Sequence, residues 1–237
     1  MVLLVLGLAA GVLTSLAGQG GGLFLLIACT ALHGPRTALA MTAPALLVGN
    51  LHRAWLYRRD IDRSIAKRMT IGGLPGAILG GLLAGVMPEG MFDVVLVGMT
   101  ALAIAKAIGW IRFSVPRAAL APAGFGIGAM TGTAGGAGVL LAPVLLSSGL
   151  TGATYVGTSS VVAVVTHMGR VLAYGSVGLF SDTGPKILLF ALTLALAIFT
   201  GNALAERLRP LLSQRAATRI EYATLVVCVA LSVARIR

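Results

Sequence analysis

Two apolar stretches of about 31 residues, Met1–Ala31 and Ala118–Ser148, constrain this chain more than any other feature. As one straight helix, each would reach about 46 Å at 1.5 Å per residue, against a bilayer hydrocarbon core of about 30 Å. Each is also interrupted near its middle by glycine. The first carries Gly18-Gln19-Gly20-Gly21-Gly22, and the second Gly132-Thr133-Ala134-Gly135-Gly136-Ala137-Gly138. Glycine weakens a helix interior. Each stretch is therefore a bent span or a hairpin that enters and leaves on one side.

Six further segments are apolar for about 20 residues, the length of one membrane crossing. They are Thr37–Leu56, Thr70–Met87, Met91–Trp110, Ala153–Tyr174, Pro185–Ala203 and Ala216–Ala234. Charged residues make up 11% of the 237-residue chain, where a soluble domain carries roughly 25%. So few charges cannot cover a water-facing surface. This excludes a soluble enzyme, a disordered chain and a nucleic-acid binder, despite the net charge of +11. The N-terminus lacks the basic region and cleavage site of a signal peptide and is read as part of the fold. Cys29 and Cys228 are too few for a disulfide framework or a metal cluster.

Basic residues mark the cytoplasmic side. The connector Arg53–Arg68 holds Arg53, Arg58, Arg59, Arg63, Lys67 and Arg68, and Glu206–Arg219 holds Arg207, Arg209, Arg215 and Arg219. With both inside, Arg117 and Thr151 also fall inside, and the stretch between them becomes a re-entrant hairpin. Arg235 and Arg237 then lie outside, against the bias. Lys106 and Arg170 fall within spans and are expected to snorkel to the interface.

A shift of 115 residues aligns the two halves. Gly11 meets Gly126, Gly20 meets Gly135, Gly21 meets Gly136, Gly34 meets Gly149 and His52 meets His167. The expected fold is an all-α integral membrane protein of two inverted-topology repeats. Residues 1–110 hold a hairpin (1–35) and spans 37–56, 70–87 and 91–110. Residues 118–235 hold a hairpin (118–149) and spans 153–174, 185–203 and 216–234. Broken helices in inverted repeats commonly place a transport site near the midplane.

A broken helix exposes backbone N–H groups with a partial positive charge, and glycine lets an anion approach them closely. The candidate contacts are Gly18, Gln19, Gly20, Gly21 and Gly22 in the first break, and Thr131, Thr133, Gly135 and Gly136 in the second. The competing reading is that these glycines only let helices pack closely. Asn50, Thr158 and Ser159 are polar candidates within spans, although Ser and Thr often bond back to their own helix. His52 and His167 are candidate gating or proton-coupling residues. Each lies about fifteen residues into its span, so inverted copies would set them on opposite sides of the midplane. All seven carboxylates lie near connectors, which leaves no acid/base pair for hydrolysis. No catalytic residue, metal site or cofactor is expected.

Several of these motifs resemble the sulfite exporter TauE/SafE family. They are Ala10-Gly11, the first glycine run, the second run ending in Val139-Leu140-Leu141-Ala142-Pro143, Gly157-Thr158-Ser159 and His167-Met168-Gly169. The resemblance implies a multi-pass permease of the bacterial inner membrane. It would carry small anions such as sulfite, organosulfonates or related sulfur-containing acids. The expected partners are that anion, the lipid bilayer and, at most, further copies of the chain. A carboxylate permease and a non-transporting accessory subunit are the alternatives. The topology predicts that single cysteines at positions 117 and 151, in a chain lacking Cys29 and Cys228, label from the same membrane face. Labelling from opposite faces would remove the upside-down relation of the halves.

Overall fold

The computed structural model describes residues 1–17, 20–107, 110, 115–136, 138–208 and the isolated positions 211, 219, 223, 226 and 227. The described residues form α1 (Val2–Ala17), α2 (Gly21–His33), α3 (Pro35–Leu56), α4 (Arg63–Val86) and α5 (Glu89–Ala107). After a 3-10 turn at Arg117–Ala119 come α6 (Leu120–Ala134), α7 (Gly138–Ser147), α8 (Gly152–Ser176), α9 (Leu179–Asp182) and α10 (Ile187–Leu208). No strand occurs among them.

Around a buried aliphatic core that includes Leu25, Met41 and Leu145, several polar side chains are also buried while many large aliphatic ones face outward. Thr158, Ser160 and Arg170 are 0% exposed, whereas Leu188 is 75% and Leu196 60% exposed. In water this distribution would be costly, and in lipid it is the stable one. Among the described residues, three helices, α4, α8 and α10, are long and apolar enough to cross a membrane. The expected span Thr37–Leu56 lies in α3, which has the length but carries Arg36, Asn50, His52 and Arg53. Met91–Trp110 begins in α5, and Ala216–Ala234 lies almost wholly outside the described residues, as does Cys228.

Both long apolar stretches are divided. Gly20 and Gly135 have φ of 86° and 80°, in the left-handed region that glycine enters without steric cost. Their relatives downstream, Gly34 and Gly149, share φ of 80° and 87°. The 115-residue offset thus repeats backbone conformation as well as letters. A Cβ on Gly21 would meet Thr14 and the Ala10 carbonyl. In a straight helix, eleven residues would separate Gly21 from Ala10 by about 16 Å. The contact therefore means that α2 turns back along α1.

Helix packing exchanges partners between the halves. Helix α6 lies on α4, and α1 lies on α10. Helix α8 also packs on α4, α3 packs on α10, and α3 and α8 pack on each other. The α4–α6 contact is nearly backbone against backbone. A side chain at Gly72, Gly76 or Gly80 would meet the Ala121, Phe125 or Ala129 carbonyl in turn. From the other side, Gly124, Gly128 and Gly132 face the carbonyls of Met69, Gly73 and Ala77. Spacing by four keeps each set on one helix face. At the other contact, buried Asn202 of α10 accepts from Ser15 Oγ (2.9 Å) and donates to the Gly49 carbonyl (2.9 Å). One amide thus ties α1, α10 and α3.

Two basic residues sit differently from their sequence expectation. Arg170 does not snorkel: it is 0% exposed in α8, covered by the packed helices. Arg53, counted with the cytoplasmic connector, lies within α3 at 3% exposure. The Lys106 side chain lies outside the described residues. The α4–α6 contact predicts that Gly76→Val lowers the unfolding temperature in detergent by about 3–10 °C, from an overpacking cost of about 1–3 kcal/mol. Gly98→Val, at a position with open space around its Cα, leaves that temperature unchanged.

Candidate functional site

Both glycine breaks open onto one partly open cavity of about 80 Å³. A single water needs roughly 10–15 Å³ on the same measure, so several waters or one small ion fit. The first break contributes Gly20 and Gly22, and the second Gly135, Gly136 and Gly138. A Cβ on Gly136 would lie 2.6 Å from Leu23 Cδ1, and one on Gly135 2.9 Å from Leu26 Cδ2. The second break therefore rests against the first turns of α2.

Three longer helices complete the wall. From α3 come Leu46, Asn50 and Arg53, spaced by four and three and so on one face. From α6 come Ile127 and Thr131. From α8 come Tyr155, Ser159, Val162, Ala163, Thr166 and His167, again at helical spacing. Thr14 of α1 and Leu141 of α7 close the ring.

The hydroxyl protons are largely committed elsewhere. Thr14 donates to the Ala10 carbonyl (2.6 Å), Thr131 to Ile127 (2.7 Å), Ser159 to Val156 (3.0 Å) and Thr166 to Ala163 (3.0 Å). These are bonds back into their own helices. Asn50 Nδ2 does the same with the Leu46 carbonyl (2.7 Å).

Positive charge comes from arginine. The Arg53 side chain crosses from α3 to two neighbours. Its Nε donates to Ser160 Oγ of α8 (3.1 Å), and NH1 donates to the Thr14 carbonyl (3.0 Å). That carbonyl lies in the last turn of α1, where helix carbonyls lack partners and a cation is favourable. Arg170 serves the second break in a similar way. Its Nε donates to Tyr174 Oη (3.1 Å), and Tyr174 Oη donates to the Gly132 carbonyl (2.7 Å) in the last turn of α6. Arg170 NH1 lies 3.3 Å from His167 Nδ1. Arg170 NH2 is buried without a partner among the described residues, and a Cβ on Gly135 would lie 3.1 Å from it. Each break thus has a buried guanidinium beside the end of its first half-helix.

Of the residues singled out from sequence, Gly20, Gly22, Asn50, Thr131, Gly135, Gly136, Ser159 and His167 line this cavity. Gly21 packs on α1 instead. Thr133 bonds to the Ala129 carbonyl (2.9 Å), and Thr158 Oγ1 accepts from the Asp62 backbone N–H (3.0 Å), fixing the loop before α4. Neither lines the cavity. Gly18 and Gln19 lie outside the described residues. His52 stacks on Phe199 at 3.8 Å between ring centroids, away from the cavity. The two histidines therefore do not share a site. No group of three or more His, Cys, Asp or Glu that could hold a metal ion occurs among the described residues.

Sequence reasoning missed both arginines as site residues. At an offset of 115, Arg53 aligns with Met168, and Arg170 with Trp55. The signal available was weaker: one arginine late in each of two corresponding helices, two positions out of register.

Comparison with known proteins gives one family. A model described as sulfite exporter TauE/SafE matches residues 3–233. Neither the curated proteins nor the solved structures give a match.

Proposed function

Because the chain belongs to the sulfite exporter TauE/SafE family, one of membrane transporters for sulfur-containing anions, we propose that it moves sulfite, an organosulfonate or a related small oxyanion through the cavity between its two glycine breaks. The observation that carries this reading is Arg53, a permanent cation only 3% exposed, lining a cavity bounded by glycines of both breaks. A buried cation is costly in a membrane and marks an ion pathway by default. In a low-dielectric site it attracts an anion far more strongly than it would in water. The cavity size suits a small oxyanion, and the family's description favours export. We place the protein in the bacterial inner membrane, spanning it several times.

The proposed architecture is two inverted repeats, 1–110 and 118–235, rocking about the cavity so that it opens to alternate sides. Three observations support it: the repeated positive-φ glycines, the exchanged packing of α1 on α10 and α6 on α4, and the α3–α8 contact between corresponding helices.

Filling the cavity tests the route. Gly20 and Gly135 are poor choices, because their φ values strain any other residue. Gly22 and Gly138 also line the cavity, and around them a Cβ meets ordinary contacts or open space. In proteoliposomes, the wild-type chain should accumulate labelled sulfite. Gly22→Leu and Gly138→Leu should lose most of the flux while keeping the wild-type unfolding temperature. Arg53→Gln should weaken uptake by about 10- to 100-fold, the range for a hydrogen bond to a charged group. Wild-type flux no greater than that of empty liposomes, across a panel of sulfite, sulfonates and carboxylates, would overturn the proposal.

A further inference from the structure

Resting on that reading, we propose that Arg170 and His167 act as one unit. Arg170 fixes the imidazole so that its Nε2–H donates to the substrate oxyanion, and the guanidinium supplies counter-charge from behind Gly135. Chemistry alone sets the direction of the contact between them. Every guanidinium nitrogen is a donor and none accepts. The 3.3 Å contact between Arg170 NH1 and His167 Nδ1 therefore requires a lone pair on Nδ1. The ring proton then resides on Nε2. His167 lines the cavity, and with Nδ1 engaged, Nε2 is the nitrogen left to face it. The cavity-lining hydroxyls of Thr14, Thr131, Ser159 and Thr166 have turned their protons to helix carbonyls. A donor held toward the cavity on α8 is correspondingly valuable to an anion.

Arg170 is a positioning residue whose charge also reaches the site. It is 0% exposed, its partners through Nε and NH1 are neutral, and its NH2 has none among the described residues. Gly135, which lines the cavity, stands between NH2 and that space. A side chain there would press on the nitrogen, and glycine leaves the cation one residue away from whatever occupies the cavity. An anion there would supply the charge compensation that the surrounding protein withholds. In this account His167 binds substrate as a donor and is not the carrier of a transported proton.

Two measurements decide it. The first needs no substrate. In nitrogen-15 spectra of histidine-labelled protein, the signals lost in His167→Gln should show an unprotonated Nδ1 and a protonated Nε2. Arg170→Lys, which cannot bond Nδ1, Tyr174 and the space behind Gly135 together, should shift this pattern. A proton on Nδ1 of the wild-type protein would overturn the proposal whether or not sulfite is the cargo. The second is sulfite binding by the intact protein in detergent. His167→Met should weaken it by about 10- to 100-fold. His167→Gln, whose amide restores a donor, should recover most of that loss. Equal binding by wild type and His167→Met would overturn the proposal. Absence of sulfite and sulfonate binding by the wild type would instead overturn the functional reading beneath it.

Discussion

A fully buried guanidinium is the constraint around which this molecule is arranged. Arginine does not shed its proton inside a protein, so burying Arg170 commits the fold to a full positive charge within an apolar body. The chain answers with neutral partners: the Tyr174 hydroxyl, the His167 ring and, through Tyr174, a carbonyl at the end of α6. Arg53 is held likewise, by Ser160 and a carbonyl at the end of α1. Both arginines sit where a helix has been cut and its last carbonyls lack intrahelical partners. The breaks and the cations stabilise each other, and the cavity lies between them.

Glycine does two separate jobs here. Along α4 and α6, glycines at every fourth position let two backbones touch, the usual way for helices to associate where lipid gives apolar side chains no preference for each other. At the breaks, glycine instead allows φ values that other residues resist, and leaves backbone open to the cavity. Gly132 and Gly135 are only three residues apart, yet fall on opposite sides of this division. Gly132 packs on α4 and lends its carbonyl to Tyr174, whereas Gly135 borders the cavity.

The interruptions of the long apolar stretches could be read in the sequence because length and glycine are local properties. So could the back-bonding of Ser and Thr, which depends only on the carbonyls three or four positions earlier. The fates of Arg53 and Arg170 could not. Counting along the chain puts Arg53 near the start of a basic loop and Arg170 near the end of a span, where a long side chain would normally reach the interface. Their burial is decided by which helices cover them, and those helices come from distant parts of the sequence. Asn50 shows the same limit in reverse: its position in the cavity wall was legible, but its amide turns back to Leu46. The histidine pair aligns in sequence yet separates in space, one ring on Phe199 and the other on Arg170.

The most direct measurement is the location of a bound anion. Selenite has the shape and charge of sulfite, and its selenium scatters anomalously. A crystal of the wild-type protein soaked in selenite should show one anomalous peak in the cavity, within contact distance of Arg53 and His167 and beside Gly20 and Gly135. An empty cavity at saturating selenite, or a peak only on the outer surface, would contradict the account.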